Sequence, residues 1–586
     1  MTSMKKETHY LPGLDGLRAI AVMAIIIFHL NPKFLPGGFL GVDTFFIISG
    51  YLITMILLKE YRETGSINLF KFYTKRIKRL FPAILFLLVT LFAYCLLFEQ
   101  SILHQLKKDI IAAFFYVSNW WYIYDKVDYF QALEPRPLQH LWSLAIEEQF
   151  YIFFPLILLL FLKKFSRRTA MIAFTVVAII SAIWMAILYQ PGMQVSRLYF
   201  GTDTRLQTML LGVLLAFFWP AFRLRREVPP AMRATISAIG LINFVILLIS
   251  FTQITEATGF LYNGGFFILG LITISTIASS VHPGSMLKQL LSLPFLTYIG
   301  RLSYSLYLWH FPVIVMVEHH FVKGQVPFYA YIIEITLTLL FAWFSYEFIE
   351  TPFRREGFSY FKPSHLKTRW PVVLMLLALV GFSGYSFVQT DTAEAPKVYT
   401  TQTMGSVTSP KLLGPVSWTD EDNSGNDTQY EAKQYISPLF IGDSVLVDIN
   451  QQLKEIYPNA TIDGEIGRSI YKAIPLADQY SYLNKKDQIV VLGIGTNGDF
   501  EEVQLETLLA KFDKAKVYLV TARVPLSYES HVNELMKEAA EKHKNVEVID
   551  WYAVSSNHTE YFAPDGIHLE YPGIQAMIKL FNDSIK

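Results

Sequence analysis

Between residues 14 and 389 the chain carries eleven apolar runs of roughly bilayer length, near 14–30, 39–58, 81–98, 142–162, 170–189, 206–220, 234–252, 260–281, 297–321, 329–349 and 371–389. In hydrocarbon every backbone N–H and C=O must find a partner inside the chain, so a run of about 20 apolar residues can only be a helix there. That leaves one fold class for most of the 586 residues, a multi-pass α-helical membrane bundle with about eleven spans. A mean hydropathy of +0.33, with 52% hydrophobic residues, is too apolar for a soluble chain of this length. The first run is not a secretory signal, because Asp15, Arg18 and His29 interrupt it and no small-residue cleavage site follows. A shorter apolar stretch near 110–121 is where a further membrane-embedded helix would fit.

Basic residues set the expected orientation. With the N-terminus in the cytoplasm, the inner segments hold 24 Lys and Arg, and the outer segments hold 8, from Lys33 to Lys323. An odd number of spans then carries everything after Gln389 to the outside. Residues 1–370 read as the membrane domain, 371–389 as its last helix, 390–432 as a flexible Thr, Ser, Pro and Gly-rich tether, and 433–586 as a separate outer domain. That outer domain holds 15 basic against 22 acidic residues, a net charge of −7, which leaves +8 for the rest. The opposite signs fit two different surroundings, and nothing in them suggests nucleic acid as a partner. Cys95 is the only cysteine, so no disulfide can form within the chain, and no metal site is implied.

In residues 433–586 short apolar runs at 438–442, 460–463, 488–494, 516–521 and 546–551 alternate with amphipathic helical patterns at 445–457, 470–483, 502–513, 529–544 and 571–585. Such alternation predicts a parallel sheet covered by helices on both faces, a three-layer flavodoxin-like α/β domain. In that architecture functional groups gather at the carboxyl ends of the strands. Ser444 follows the first run, Gly467 the second, Asn497 the third, and Asp565 with His568 the last.

A serine is a weak nucleophile until an imidazole takes its proton, and a carboxylate must orient that imidazole. Asp565 and His568, three residues apart, can supply both. The Ser444 and Gly467 N–H groups and the Asn497 amide are then candidate donors to a developing oxyanion, each worth about 2.7–4 kcal/mol of barrier. Taken singly, each block also has a plainer reading: Gly-Asp-Ser as a helix N-cap, Asp-Gly and Thr-Asn-Gly as turns.

Ionisable residues persist within the apolar runs. Arg18 and His29 are eleven residues apart, three helical turns plus 20°, so they share one stripe about 16 Å apart. Glu147 and His310 also lie inside apolar runs, and a carboxylate with imidazoles suits proton transfer. Arg76 and Arg79, at the inner face, suit either phosphate binding or plain topology.

Residues 8–355 resemble the acyltransferase type 3 family of membrane proteins. The matching stretches are Leu14-Asp-Gly-Leu-Arg-Ala with His29, Gly38-Phe-Leu-Gly-Val-Asp-Thr-Phe-Phe, Arg76-Ile-Lys-Arg, Ser143 to Tyr151, and Ser303 to Pro312. The resemblance implies that Arg18 and His29 act as a pair, that Arg76 and Arg79 help bind an acyl-CoA, and that Glu147 is essential. Arg197-Leu-Tyr-Phe-Gly-Thr-Asp-Thr-Arg205 is similar to a peptidoglycan O-acetyltransferase stretch that usually reads Tyr-Tyr-Gly-Thr-Asp-Thr-Arg; with Phe200 in place of one tyrosine, a phenolic relay would fall to Tyr199.

Residues 433–586 resemble the SGNH hydrolases at Ser444, Gly467, Asn497, Asp565 and His568. They depart from that pattern at Gly498, where many members have Asp, and at Ser469, where the peptidoglycan enzymes tend to have Gln. Joined, the halves look like the peptidoglycan O-acetyltransferases of Gram-positive bacteria. The expectation is a plasma-membrane enzyme with no bound cofactor and acetyl-CoA as donor. It would pass acetyl through Ser444 to a cell-wall glycan, foremost the 6-hydroxyl of N-acetylmuramic acid. Another surface polymer such as teichoic acid, a tethered acetylesterase, and a surface scaffold remain the rivals.

Overall fold

The computed structural model describes residues 10–130, 135–191, 193, 195–225, 227–256, 258–322, 326–357, 363–389, 433, 436–526 and 528–585. The expected tether, 390–432, lies outside the described residues. Eleven long helices occupy the eleven expected positions: α1 (Pro12–Leu30), α2 (Gly41–Thr64), α3 (Leu69–Phe98), α4 (Leu141–Lys164), α5 (Arg167–Leu188), α6 (Thr202–Phe218), α7 (Pro230–Gln253), α8 (Phe266–Val281), α9 (Pro294–Glu318), α10 (Phe328–Phe344) and α11 (Pro363–Gln389). Among the described residues nine helices are long and apolar enough to cross a membrane, namely α1 to α8 and α10 with their flanking turns. α9, which carries Arg301 and His310, is less apolar, and the apolar part of α11, Leu374–Phe387, is shorter than the others. The stretch near 110–121 forms two short helices, Leu103–Phe114 and Ser118–Tyr124, neither long enough to span.

Local chemistry marks the ends of these helices. Pro12 opens α1, Asn68 caps α3 by accepting from Lys71 N at 2.9 Å, and Gly65, at φ 71°, closes α2 in the left-handed region. Without a hydrophobic drive between helices in lipid, close approach depends on small residues. A Cβ on Gly300 of α9 would stand 1.8 Å from the Asp15 carbonyl oxygen of α1, and one on Gly16 1.8 Å from that of Leu291. α1 and α9 therefore touch backbone to backbone, and these are the helices that carry His29 and His310.

The C-terminal domain, called outer after its expected side of the membrane, is built on a sheet of five parallel strands: β1 (Leu439–Gly442), β2 (Thr461–Gly464), β3 (Ile489–Gly493), β4 (Lys516–Val520) and β5 (Val546–Ile549), in the order β2-β1-β3-β4-β5. This is the strand order of flavodoxin-like sheets. Alternation along β1 sends Leu439 and Ile441 to a core with Leu505, Leu508, Val532 and Met536 on one face, and Phe440 to a core with Leu453, Met577 and Phe581 on the other. Gly442 pairs with Gly464 of β2 and Gly493 of β3, so the three strands end level. The chain leaves β1 toward β2 and returns to the opposite side with β3. That reversal opens a crevice between the carboxyl ends of β1 and β3, where such sheets bind ligands.

Candidate active site

Asp443 and Ser444 stand at the β1 side of this crevice. Asp443 caps the short helix Ser444–Asp448 by accepting from Val445 N at 3.1 Å, and a break at Ile449 separates it from Asn450–Ile456, where the periodicity predicts one helix over 445–457. On the β3 side, the Thr496 hydroxyl donates to Asp443, the Asn497 amide donates to Thr496 Oγ1 at 2.9 Å, and the Tyr528 hydroxyl bridges Gly498 N and Thr496 O, each at 3.0 Å. Asn497 is thereby held beside the Asp443-Ser444 turn. Gly467 follows β2 at φ +74°, with open space around its missing Cβ, so the backbone conformation alone calls for glycine.

Arg468, which the sequence reading passed over, is buried and clamps this turn. Its guanidinium donates to Gly442 O at 3.1 Å, Asp463 O at 2.5 Å and Asp463 Oδ1 at 2.6 Å, tying the exit of β2 to the residue before Asp443.

Asp565 accepts from Ile567 N at 2.9 Å and His568 N at 3.0 Å through Oδ1, and from His568 Nδ1 at 2.6 Å through Oδ2. Since the carboxylate can only accept, Nδ1 carries the proton and Nε2 is left as the basic nitrogen. Burial raises the Asp565 carboxyl, but its bonds to His568 and the two N–H groups outweigh that and hold it below the usual carboxylate range. The bond to Asp565 raises His568, aided by the charges of Asp448 and Asp443 on the Ser444 side. Asp448 ties the two loops together, accepting from Leu569 N at 3.2 Å, and burial pushes it to about 6. Among the described residues no hydrogen bond joins Ser444 to His568. The Asp448–Leu569 bond joins their two loops, and catalytic hydrogen bonds often form or tighten only with substrate.

In the bundle, Arg18, Arg76, Arg79 and Glu147 line one cavity of about 140 Å³, with Ser143, Tyr151 and Tyr307. Arg18 lies 3.4 Å from Asp15, Arg76 stacks 3.6 Å over the Tyr151 ring, and Glu147 accepts from Ser49 Oγ at 2.9 Å. From the end of this cavity, the Tyr307 hydroxyl accepts from Ser143 at 2.6 Å and donates to His140 O at 2.8 Å.

Beyond it stands a relay. His310 Nδ1 faces the Tyr307 carbonyl at 2.7 Å and so carries the proton; His310 Nε2 then accepts from His29 Nδ1 at 3.0 Å, and His29 Nε2 accepts from the Tyr129 hydroxyl at 2.8 Å. With both rings neutral, one carbonyl fixes the direction of the whole chain. Arg18 and His29, expected as a pair, are parted: one lines the cavity and the other belongs to the relay. Tyr199 is fully buried and its hydroxyl donates to Phe39 O at 3.2 Å, so the phenol at His29 is Tyr129 instead. Tyr129 and His140, whose ring lies 5.5 Å from that of His310, were not singled out from the sequence, because only contacts far apart in the chain reveal them.

A family model described as an acyltransferase domain matches residues 11–347. The O-acetyltransferase OatA of Staphylococcus aureus strain MRSA252 is 46% identical over 579 residues, covering 97% of this chain and 95% of its own. A second S. aureus protein named as an O-acetyltransferase, from strain COL, is 47% identical over 587 residues, covering 98% and 96%. A solved Bacteroides fragilis structure assigned as an acylhydrolase overlaps 27% of this chain and 90% of its own at 17% identity, with a TM-score of 0.22. From the family match and the near full-length identity, the chain belongs to the membrane acyltransferase family and is an O-acetyltransferase.

Proposed function

We propose that the chain moves acetyl groups from cytoplasmic acetyl-CoA across the membrane and, through an acetyl ester on Ser444, onto hydroxyls of a cell-wall glycan, foremost the 6-hydroxyl of N-acetylmuramic acid. The observation that carries this reading is the placement of the two centres at opposite ends of one helix. The arginine-lined cavity lies near one end of α1, at Arg18, and the His29–His310–Tyr129 relay lies near the other, the end from which Lys33 reaches the outer domain.

Arg18, Arg76 and Arg79 would hold the phosphates of the donor, and Glu147 lies among them. At the relay, His29 Nε2 is the base that draws the proton from the Tyr129 phenol, which makes Tyr129 the better candidate than Tyr199 for a group that meets the acetyl carbon. At Ser444, His568 Nε2 takes the hydroxyl proton as the Oγ–C bond forms. The oxyanion draws on the Ser444 and Gly467 N–H groups and the Asn497 amide, and His568 returns its proton to the departing group. The second half repeats these steps with the sugar hydroxyl as nucleophile and Ser444 as leaving group.

The test is mass spectrometry of wall sugars from cells carrying the chain or its Ser444→Ala variant. Loss of acetyl from muramic acid with Ser444→Ala supports the reading. Loss from another polymer moves the acceptor, and unchanged acetylation with Ser444→Ala sinks the covalent serine.

A further inference from the structure

The exit of β4 is the one strand end to which the sequence assigns no chemistry, and it is where the outer domain meets the bundle. Glu529 opens the helix Glu529–Lys542 and is 1% exposed. Its Oε2 accepts from Val524 N at 2.7 Å and from Arg523 Nη1 at 3.0 Å, and its Oε1 accepts from Lys33 Nζ at 2.5 Å. A carboxylate buried this deeply needs a counter-charge and hydrogen bonds to both oxygens, and Lys33 comes from the bundle to fill the second. Lys33 lies in the loop after α1, four residues beyond His29. A second contact is made by Val322, four residues past the end of α9, which packs against the outer-domain core around Phe440 and Leu446. The outer domain is thus seated on the ends of the two helices that hold His29 and His310. The Tyr528 hydroxyl, which braces the Asn497 loop, faces the same side: burial first, then the carboxylates of Glu256 and Asp128 in two more bundle loops, raise it. Asp128 precedes the relay residue Tyr129.

We infer that the β4 exit, residues 521–526 with Tyr528 and Glu529, is a docking surface whose partner is the bundle's own first outer loop. The Lys33–Glu529 pair latches the edge bearing Ser444, Asn497 and His568 over the His29–His310 pair, so that acetyl passes between the two centres within one docked chain. This rests on the function proposed above. The Lys33 side chain remains 42% exposed, so the latch is a reversible surface contact and leaves the edge able to lift for a polymeric acceptor.

Cys95 is buried and is the chain's only cysteine, so Phe34→Cys, an exposed neighbour of Lys33, with Ser530→Cys, an exposed neighbour of Glu529, gives two accessible thiols and leaves the latch intact. In membranes carrying the full chain with a protease site inserted within 390–432, a short bismaleimide should join the halves so that they migrate together after cleavage, while neither single variant does so. Separate migration overturns the docking. Lys33→Glu, which sets two like charges face to face, should lower acetyl delivery to the wall about tenfold or more. Hydrolysis of a soluble acetyl ester at Ser444 should stay unchanged, and Lys33→Arg should restore delivery. Unchanged delivery with Lys33→Glu overturns the latch. Crosslinking needs no turnover, so a wild-type chain that acetylates no wall sugar would sink the proposed function while the docking is still read separately.

Discussion

His568 receives its orientation from a single carboxylate that also binds two backbone N–H groups, and this arrangement sets its response to pH. Asp565 stabilises the charged imidazole, so the folded value lies above the ordinary 6.5. The stabilisation this gives the fold is fully present below the ordinary value and is lost as pH rises through the folded one. In the proposed mechanism catalysis runs the other way, because only neutral His568 could take the Ser444 proton. Ester hydrolysis at Ser444 should therefore climb with pH through a midpoint above 6.5. Asp565→Asn should shift that midpoint down and lower kcat by about three to four orders of magnitude. A pH profile of kcat/KM on the full chain in membranes checks both, and a midpoint unmoved by Asp565→Asn would remove the carboxylate from this role. Ser444, Asp565 and His568 were legible because each sits in a short local pattern. Tyr129 was not, since its partner His29 is 100 residues away and the relay closes only through His310, 281 residues from His29.

At the level of elements, the apolar patterns located all five strands to within a residue or two and all eleven long helices, with the widest misses at the starts of α3 and α11, because lipid and a two-sided sheet both impose strong patterns. What they could not give was how closely helices approach. Gly300 looks ordinary in sequence, yet it lets α1 and α9 meet at backbone distance, which the 3.0 Å His29–His310 bond requires ten residues further along α9. Gly300→Ala should push these helices apart at a cost of about 1–3 kcal/mol. Transfer from acetyl-CoA to the wall should fall sharply, while hydrolysis of a soluble ester at Ser444 persists. Both assays can be run on the same membranes, and retained transfer would mean that the relay tolerates the shift. Arg468 was likewise invisible in the sequence, because its clamp on Gly442 and Asp463 depends on two strands lying side by side.

For the molecule as a whole, the decisive quantity is which side of the bilayer each end occupies. The basic-residue count of 24 against 8 and the odd number of expected spans are the grounds for expecting Ser444 outside. The domain that carries Ser444 meets Lys33 and Val322 in loops at one end of the bundle, whereas Arg76 and Arg79 line a cavity toward the other. With Ser444 on the far side from the cytoplasm, acetyl-CoA cannot reach it directly, and a relay between the two centres becomes a chemical necessity. The buried Cys95 makes the point testable, because single cysteines can be added against a silent background. Lys486→Cys, exposed in the outer domain, should react with a membrane-impermeant maleimide in intact cells, and Glu63→Cys, exposed at the end of α2, only after permeabilisation. The reverse pattern would put Ser444 beside the cytoplasmic donor, leave the His29–His310 pair without a crossing to serve, and turn the arginine-lined cavity outward, where no acyl-CoA is found.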